Sequence, residues 1–258
     1  MTRIGRAFES SRLSGRAAFI AFVTAGDPSL ERTEDVALAM GGGGVDVLEL
    51  GVPFSDPVAD GPVIQRSSER ALGRGVTLPA VLALARRVRS QSEIPLLLFT
   101  YFNPLLRPGL ERAAAEVKDA GIDGVLVTDL PPEEAGPWLE RAWSAGLDTV
   151  FLAAPTSPDE RLRRVAASSR GFVYAVSRTG VTGERGALSL DAEPLTRRLR
   201  ALTEVPVALG FGISTPEQVR AAGSVADGVV VGSALVRFLE EHPSGDIAEH
   251  VRWLKSGL

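Results

Sequence analysis

Residues 47–62 read VLELGVPFSDPVADGP, in which a short apolar run passes directly into a loop of proline, glycine, serine and acidic residues. The run is typical of a buried strand, yet it contains a carboxyl group, Glu49. Because successive side chains of a strand point to opposite faces, Glu49 faces away from the side taken by Leu48 and Leu50. Asp60 follows in the loop. The stretch therefore predicts a buried strand that ends in a polar loop.

Eight runs of this kind occur along the chain, with helix-forming segments between them. The runs are nearly all apolar and do not alternate, as expected of strands covered on both faces. Eight strand-then-helix units in 258 residues predict a single (β/α)8 barrel, the TIM barrel. An open doubly wound sheet is the alternative, but it needs a break in the pattern and usually has fewer strands. The runs are AFIAFVT (18–24), VDVLELG (45–51), PLLLFTY (95–101), GVLVTD (124–129), TVFLAA (149–154), FVYAVS (172–177), PVALGFG (206–212) and DGVVVGS (227–233).

The chain shows no linker, low-complexity tract or long charge run that would mark a domain boundary. We therefore expect residues 1–258 to form one domain. Before the first strand, Ile4, Phe8 and Leu13 could lie on one face of a short helix. We expect this extra N-terminal helix to cover one end of the barrel.

Composition argues against several classes of function. The formal net charge is −4 and no basic block is present, so a nucleic-acid partner is not expected. The absence of cysteine excludes disulfides, thiol catalysis and cysteine-ligated zinc. The two histidines, His242 and His250, are expected on exposed helix surface, which makes a histidine triad or metal site unexpected. No apolar run approaches the roughly 20 residues of a membrane span, and we expect a cytoplasmic protein.

Loops that follow barrel strands build the active face, so polar residues at the strand ends are expected to converge there. The longest such loops follow the second strand (roughly 52–76) and the sixth (roughly 178–190). We expect these two loops to be candidate lids over the site.

The two carboxyl groups of the opening stretch have structural and functional interpretations. Glu49 could be a structural carboxylate, satisfied by backbone or by a tyrosine, but its place on a strand favours a general acid/base tuned by burial. For Asp60 and Asp56, each considered in isolation, a structural role is the favoured interpretation. Asp-Gly is a common turn pair, and Asp60 could cap the helix that starts near Pro62.

Glycine-bearing turns follow the last three strands, at Gly183, Gly212 and Gly232-Ser233. Backbone N–H groups at helix N-termini bind phosphate, and barrels often place such a site after strands seven and eight. The alternative is that these glycines only permit tight turns and have no part in phosphate binding. Because the turns recur together, we favour a small phosphorylated substrate.

Several segments, in the same order along the chain, closely resemble the tryptophan synthase alpha chain family. The most specific is ELGVPFSDP followed by ADGP within 49–62, and the resemblance covers roughly residues 4–238. Two local departures are the four glycines at 41–44, which could loosen the preceding helix end, and GERG at 183–186. The other matching segments are FVTAGDP (22–28), SRTGVTG (177–183), GFGIS (210–214) and DGVVVGS (227–233).

The resemblance implies a barrel enzyme that cleaves indole-3-glycerol phosphate to indole and glyceraldehyde 3-phosphate. By position, Glu49 is the acid/base, Asp60 hydrogen-bonds the indole N–H, and Tyr174 helps to orient Glu49 or the glycerol part. Thr182 is expected to meet Asp60 when its loop closes. The remaining substrate contacts are expected from Phe22, Leu126 and Phe211 as indole walls, from Tyr101, and from Gly183, Gly212, Gly232 and Ser233 around the phosphate.

The resemblance also implies a beta-chain partner in a tetramer of two alpha and two beta chains. Pyridoxal phosphate would belong to the partner, and this chain would need no metal or organic cofactor. The contact surface would include Pro53, Asp56, Asn103 and Pro104.

Three other functions compete with this interpretation, and the motif excludes the first of them least. A free-standing indole-3-glycerol-phosphate lyase would share the catalytic residues and release indole without a partner. Intact Glu49 and Asp60 argue against a subunit that only activates a partner. The same two residues argue against a different phosphate-binding barrel enzyme.

Overall fold

In the computed structural model, which describes residues 1–176, 192–210 and 212–258, nine strands form one parallel sheet. The sheet confirms the barrel that the eight apolar runs predict. The strands are β1 (Ala18–Thr24), β2 (Val47–Gly51), β3 (Leu96–Thr100), β4 (Gly124–Val127), β5 (Asp148–Val150), β6 (Leu152–Ala153), β7 (Val173–Val176), β8 (Val207–Gly210) and β9 (Gly228–Val231).

Helices follow the strands in sequence and surround the sheet. Within the same described residues they are α1 (Arg3–Leu13), α2 (Leu30–Gly42), α3 (Pro62–Gly73), α4 (Leu78–Gln91), α5 (Phe102–Leu106), α6 (Leu110–Asp119), α7 (Gly136–Ser144), α8 (Asp159–Ser168), α9 (Ala192–Arg200), α10 (Pro216–Gly223), α11 (Ser233–Glu241) and α12 (Ile247–Lys255). None of the helices in the described ranges is long and apolar enough for a bilayer crossing.

The barrel closes where the predicted fifth strand divides in two. The sheet order is β5-β4-β3-β2-β1-β9-β8-β7-β6, so its two edges are β5 and β6, which only Phe151 separates along the chain. β5 pairs with β4 and β6 with β7, and the Phe151 carbonyl accepts a hydrogen bond from Tyr174 N at 3.0 Å. The expected strand over 149–154 is therefore present as 148–153 but is interrupted at Phe151, where its pairing passes from β4 to β7.

Side chains alternate between the barrel interior and the layer under the helices. Leu48 and Leu50 belong to the large cluster between sheet and helices, whereas Val47 belongs to the interior cluster, so the predicted facing of the strand is confirmed. The buried members of the interior cluster are Ile4, Phe8, Ala18, Ile20, Val47, Leu97, Leu126, Val150, Phe172, Tyr174, Ala208 and Val230.

The N-terminal helix α1 covers the end of the barrel where the strands begin. A Cβ at Gly124, the first residue of β4, would lie 2.9 Å from Ile4 Cδ1, and one at Gly228 would lie 2.9 Å from Phe8 Cε1. The prediction for Leu13 is wrong, since this side chain is 73% exposed. Leu13 is five residues after Phe8, which at 3.6 residues per turn rotates it well off the buried face.

At three places on this same end of the barrel, an aspartate just before one strand bonds to the adjacent strand. Each aspartate accepts a backbone N–H from a neighbouring strand and also forms an ion pair with an arginine, so both carboxylate interactions hold adjacent strands together. The three sets are Asp46 with Phe19 N and Arg16, Asp123 with Leu96 N and Arg89, and Asp227 with Val207 N and Arg200.

The C-terminal helix α12 packs closely on the glycine run at 41–44. α2 continues to Gly42, so the run does not shorten the helix. A Cβ at Gly43 would lie 3.0 Å from the carbonyl oxygen of Ala248, which indicates that glycine permits this close approach.

The expectation of two exposed helix histidines is half right. His242 is exposed just after α11, but His250 is half-buried and stacks on Phe238 with ring centroids 4.0 Å apart.

Candidate active site

Glu49 lies in the middle of β2 and is 1% exposed. It is in register with Phe22 of β1 and with Leu97 of β3. Its Oε1 atom is buried and has no hydrogen-bond partner within the described part of the chain. Burial disfavours the charged form and raises the pKa of Glu49 to about 8. A carboxyl group in this state keeps its proton at neutral pH and can deliver it to a bound molecule.

Tyr174 on β7 lies close enough to Glu49 for the two groups to influence each other electrostatically. Burial, and then the charge of Glu49, raises the pKa of Tyr174, so its hydroxyl stays protonated. The ring fits against the backbone of β8, where a Cβ at Gly210 would lie 2.5 Å from the Tyr174 hydroxyl oxygen. The absence of a side chain at Gly210 therefore provides the space for this phenol.

Asp60 lies in the loop after β2, half-buried, and Tyr101 holds its carboxylate. The Tyr101 hydroxyl donates to Asp60 Oδ2 at 3.1 Å and accepts the Ala59 N–H at 3.1 Å. Burial raises the pKa of Asp60 to about 6, while the hydrogen bond from Tyr101 acts in the opposite direction. Asp60 is therefore mostly ionised at pH 7, in contrast to Glu49.

The structural alternative for Asp60, a helix N-cap, is wrong. The N-cap of α3 is Gly61, and no side chain caps that helix. Instead, the Asp60 carbonyl accepts a hydrogen bond from Gln65 Nε2 at 2.8 Å. The main chain of Asp60 is thus held by Gln65, while its carboxylate remains available to accept a hydrogen bond from Tyr101.

An apolar cluster lies between these carboxyl groups and α11. Phe22 is 5% exposed and meets Phe99 edge-on, with ring centroids 5.2 Å apart. Val63 of α3 and Val236 of α11 complete the cluster. Sequence reasoning missed Phe99, although it lies two residues after the interior residue Leu97 on the same face of β3 and could have been found by that signal. Leu126, predicted as a second wall, is fully buried in the barrel interior.

The phosphate-binding prediction has its best structural support at the start of α11. Gly232 is the N-cap, no side chain caps the helix, and a Cβ at Gly232 would lie 3.5 Å from Phe22 Cβ. Ser233 is the first helical residue. The first amide groups of such a helix are available to an anion.

The turn after β8 differs from this one. Gly212 has φ +71°, but the helix that follows is capped from within: Thr215 accepts from Gln218 N, and Gln218 Oε1 accepts from Ser214 N at 2.7 Å. Its amide groups are thus less available than those of α11. The predicted contacts at Thr182, Gly183 and Phe211 lie outside the described residues.

The predicted partner surface is only partly on the outside of the chain. Asp56 and Asn103 are exposed and Pro104 is half-buried, whereas Pro53 is buried. Sequence reasoning missed two exposed apolar side chains in the same segments, Val58 in the loop after β2 at 85% and Leu106 at the end of α5 at 47% exposure. Within residues 1–176, 192–210 and 212–258, no three acidic, histidine or cysteine side chains gather as a metal site.

Comparison with known proteins agrees with this arrangement over the whole barrel. The family model described as "Tryptophan synthase alpha chain" matches residues 8–256. The tryptophan synthase alpha chain of Solibacter usitatus (strain Ellin6076) is 56% identical over 94% of this chain and 91% of its own length. That of Geobacter sulfurreducens is 48% identical over 100% of this chain and 98% of its own.

A solved structure of tryptophan synthase from Mycobacterium tuberculosis matches in fold as well. It superposes with a TM-score of 0.92 at 39% identity, over 99% of this chain and 98% of that one. Sequence identity at this level over nearly full length, together with the same barrel, leads to one conclusion: the chain belongs to the tryptophan synthase alpha chain family.

Proposed function

We propose that this chain cleaves indole-3-glycerol phosphate to indole and glyceraldehyde 3-phosphate, a carbon–carbon lyase reaction of tryptophan biosynthesis. Family membership supports the proposal. The observation that carries it is the contrast between two carboxyl groups on one strand and its following loop: Glu49 is enclosed in β2 with no partner for Oε1 in the described residues, whereas Asp60 is held by Tyr101 at 3.1 Å. Burial raises the pKa of Glu49 to about 8 and that of Asp60 to about 6, so at pH 7 the first acts as an acid and the second as an anion.

The chemistry needs both states. Glu49 gives its proton to indole C3, which places positive charge on the ring nitrogen. The resulting carboxylate then accepts the proton of the adjacent glycerol hydroxyl. As that oxygen forms the aldehyde C=O, the bond to C3 breaks and its electron pair restores the aromatic ring. One proton has moved from oxygen to carbon, and Glu49 ends as it began.

Asp60 would stabilise the charge that develops on the ring nitrogen during this sequence. Its carboxylate is held by Tyr101 at 3.1 Å and would accept the indole N–H. An anion placed in advance of the reaction lowers the barrier without having to reorganise during it. Phe22 and Leu126 would contact the indole ring, with Phe211 as a further wall that remains a prediction.

The phosphate end would lie at the start of α11. The uncapped first turn at Gly232 and Ser233 is the main support for this, and Gly212 would contribute from the neighbouring turn. Gly183 and Thr182 remain predicted contacts, the second as a partner of Asp60. Tyr174 would orient either Glu49 or the glycerol hydroxyls from β7.

We further propose that the chain works with a pyridoxal-phosphate-dependent beta chain in a two-alpha, two-beta tetramer. Exposed residues of the loop after β2 and of α5 would form part of the contact, namely Asp56, Val58, Asn103 and Leu106. The alpha chain itself would need no metal or organic cofactor. We also propose that residues 1–258 form one domain and that the protein is cytoplasmic, as suits a biosynthetic enzyme.

The test is indole release from indole-3-glycerol phosphate by the purified chain, alone and with a beta chain added. Slow release that rises strongly with the partner is the expected result. Fast release that the partner leaves unchanged would instead support a free-standing lyase. A folded protein that releases no indole in either condition would refute the proposed activity.

A further inference from the structure

The helix α3 sets the position of Asp60. Asp60 precedes the N-cap Gly61, and its carbonyl is bonded to Gln65 in the first turn of α3. Because the carboxylate and the helix are only two residues apart, a displacement of α3 displaces Asp60 with it. What holds α3 therefore also determines where the anion of the site lies.

Polar contacts supplement apolar packing in holding α3 against the barrel. Its buried side chains are small, and of these Val63 packs in the apolar cluster with Phe22 and Val236. Ser67 Oγ and Thr24 Oγ1, at the end of β1, are 2.6 Å apart in a buried hydrogen bond. A hydrogen bond depends on angle as well as distance, so this contact restricts the orientation of the helix. The buried side chains of α3 are Val63, Ser67, Ser68 and Ala71.

One arginine of α3 joins two other parts of the fold. Arg70 bonds both carboxylate oxygens of Asp27, in the loop after β1, through Nε at 2.9 Å and Nη2 at 2.6 Å. Its third nitrogen, Nη1, bonds Glu240 of α11 at 2.7 Å. The Asp27 side chain is only 11% exposed. A planar guanidinium that is bonded on two sides fixes direction as well as distance.

Glu240 is on the helix that begins at Gly232 and Ser233, so Arg70 connects the helix after Asp60 to the helix at the phosphate end. We propose that Arg70 is a positioning residue that sets the separation between the indole-binding and phosphate-binding ends of the site. The inference rests on the proposed function for the identity of those two ends. Arg70 itself would contact no substrate.

This role predicts a specific pattern of binding losses. A ligand that carries both indole and phosphate must reach both ends at once, whereas indole or phosphate alone needs only one. If the two ends drift, the joined ligand loses the advantage of linkage while each half binds as before. A misplacement of about 1 Å can cost about a hundredfold in rate. General loss of structure would weaken all three ligands together.

The experiment compares wild type and Arg70→Met by calorimetric titration of the full chain. The ligands are indole, inorganic phosphate, and indole-3-propanol phosphate, in which a three-carbon chain without hydroxyls joins ring and phosphate. We expect the joined ligand to bind at least about tenfold more weakly and each half to change by less than about twofold. The catalytic efficiency, kcat/KM, should fall with the joined ligand's affinity, while the pH limits of activity stay in place.

Two further variants separate position from charge. Arg66→Met removes a cation one turn earlier on the same helix; Arg66 lies 3.7 Å from Glu240 and should leave all three affinities unchanged. Arg70→Lys keeps the charge but not the planar fork, and it serves in place of Arg70→Met if that variant unfolds. It should reproduce the selective loss of the joined ligand.

Equal losses for all three ligands, or no loss for any, would overturn the positioning role while leaving the proposed function intact. A wild-type chain that binds neither indole nor the joined ligand would overturn the proposed function, and this inference with it.

Discussion

Replacing Glu49 by glutamine tests the account through two independent observables, activity and the pH dependence of stability. Glutamine has nearly the same shape as glutamate, but its amide cannot shuttle a proton. General acid–base catalysis contributes about 10²- to 10⁴-fold, so we expect indole release to fall by that factor. Glu69→Gln, which removes an exposed carboxylate on the neighbouring helix, is the matched control and should keep wild-type activity.

The stability effect follows from the raised pKa of Glu49. The group titrates at an ordinary 4.5 when unfolded and at about 8 when folded. Between these values the folded protein holds a proton that the unfolded chain releases, so the stability of the wild type falls as pH rises from 4.5 to 8. The full shift corresponds to about 5 kcal/mol, an upper bound on the loss.

Glutamine has no charge to bury, so the variant should escape this loss. The free-energy cost of burying the uncharged amide does not depend on pH. It therefore cancels when the difference in unfolding free energy between variant and wild type at pH 5 is compared with the same difference at pH 9. We expect that difference to shift by several kcal/mol in favour of Glu49→Gln at pH 9, measured by urea unfolding. Parallel pH dependence of the two proteins would refute the claim of a protonated, buried Glu49, and retained indole release would refute its catalytic role.

Four other changes should have distinct outcomes. Asp60→Asn should lower kcat by about 10²- to 10³-fold and remove the loss of activity below pH 6, because it deletes the anion that titrates there; a pH profile of indole release checks both. Tyr101→Phe removes the hydrogen bond that lowers the pKa of Asp60, so the acidic limit of activity should move to higher pH, and an unmoved limit would exclude this coupling. Gly210→Ala forces a methyl group to within 2.5 Å of the Tyr174 hydroxyl, and thermal and urea unfolding should show a loss of about 1–3 kcal/mol with reduced turnover. Asp123→Asn removes the carboxylate paired with the half-buried Arg89 on the opposite end of the barrel, while Arg3 keeps Glu93, so stability should fall by about 3 kcal/mol and kcat of the folded fraction should stay at the wild-type value.

Local patterns along the chain predicted the barrel and the facing of its central carboxyl group. In VLELG the alternation put Glu49 on the face opposite Leu48 and Leu50, since a strand has only two faces, and the structure identifies that face as the barrel interior. The same reasoning could not divide the fifth run at Phe151, because the change of partner depends on where neighbouring strands lie. The error at Leu13 was avoidable, because the spacing of five residues from Phe8 already rotates this side chain off the buried face.

Contacts between segments that are distant in the chain could not be predicted from the sequence. Tyr101 holds Asp60 across 41 positions and Arg70 reaches Glu240 across 170, so neither pair has a local signature. The pKa difference between Glu49 and Asp60 likewise depends on how much each is desolvated, which only the packed structure specifies. The resemblance to a family supplied the roles of these residues, and the structure supplies a physical reason for two of them.

The central claim is that Glu49 carries a proton at neutral pH. The most direct measurement is a ¹³C NMR titration of the full chain labelled at the glutamate carboxyl carbon, with the Glu49 signal assigned by its absence from Glu49→Gln. The account predicts one carboxyl resonance that titrates near pH 8, well apart from the surface glutamates. A Glu49 resonance that titrates with the others, below about pH 5, would contradict it.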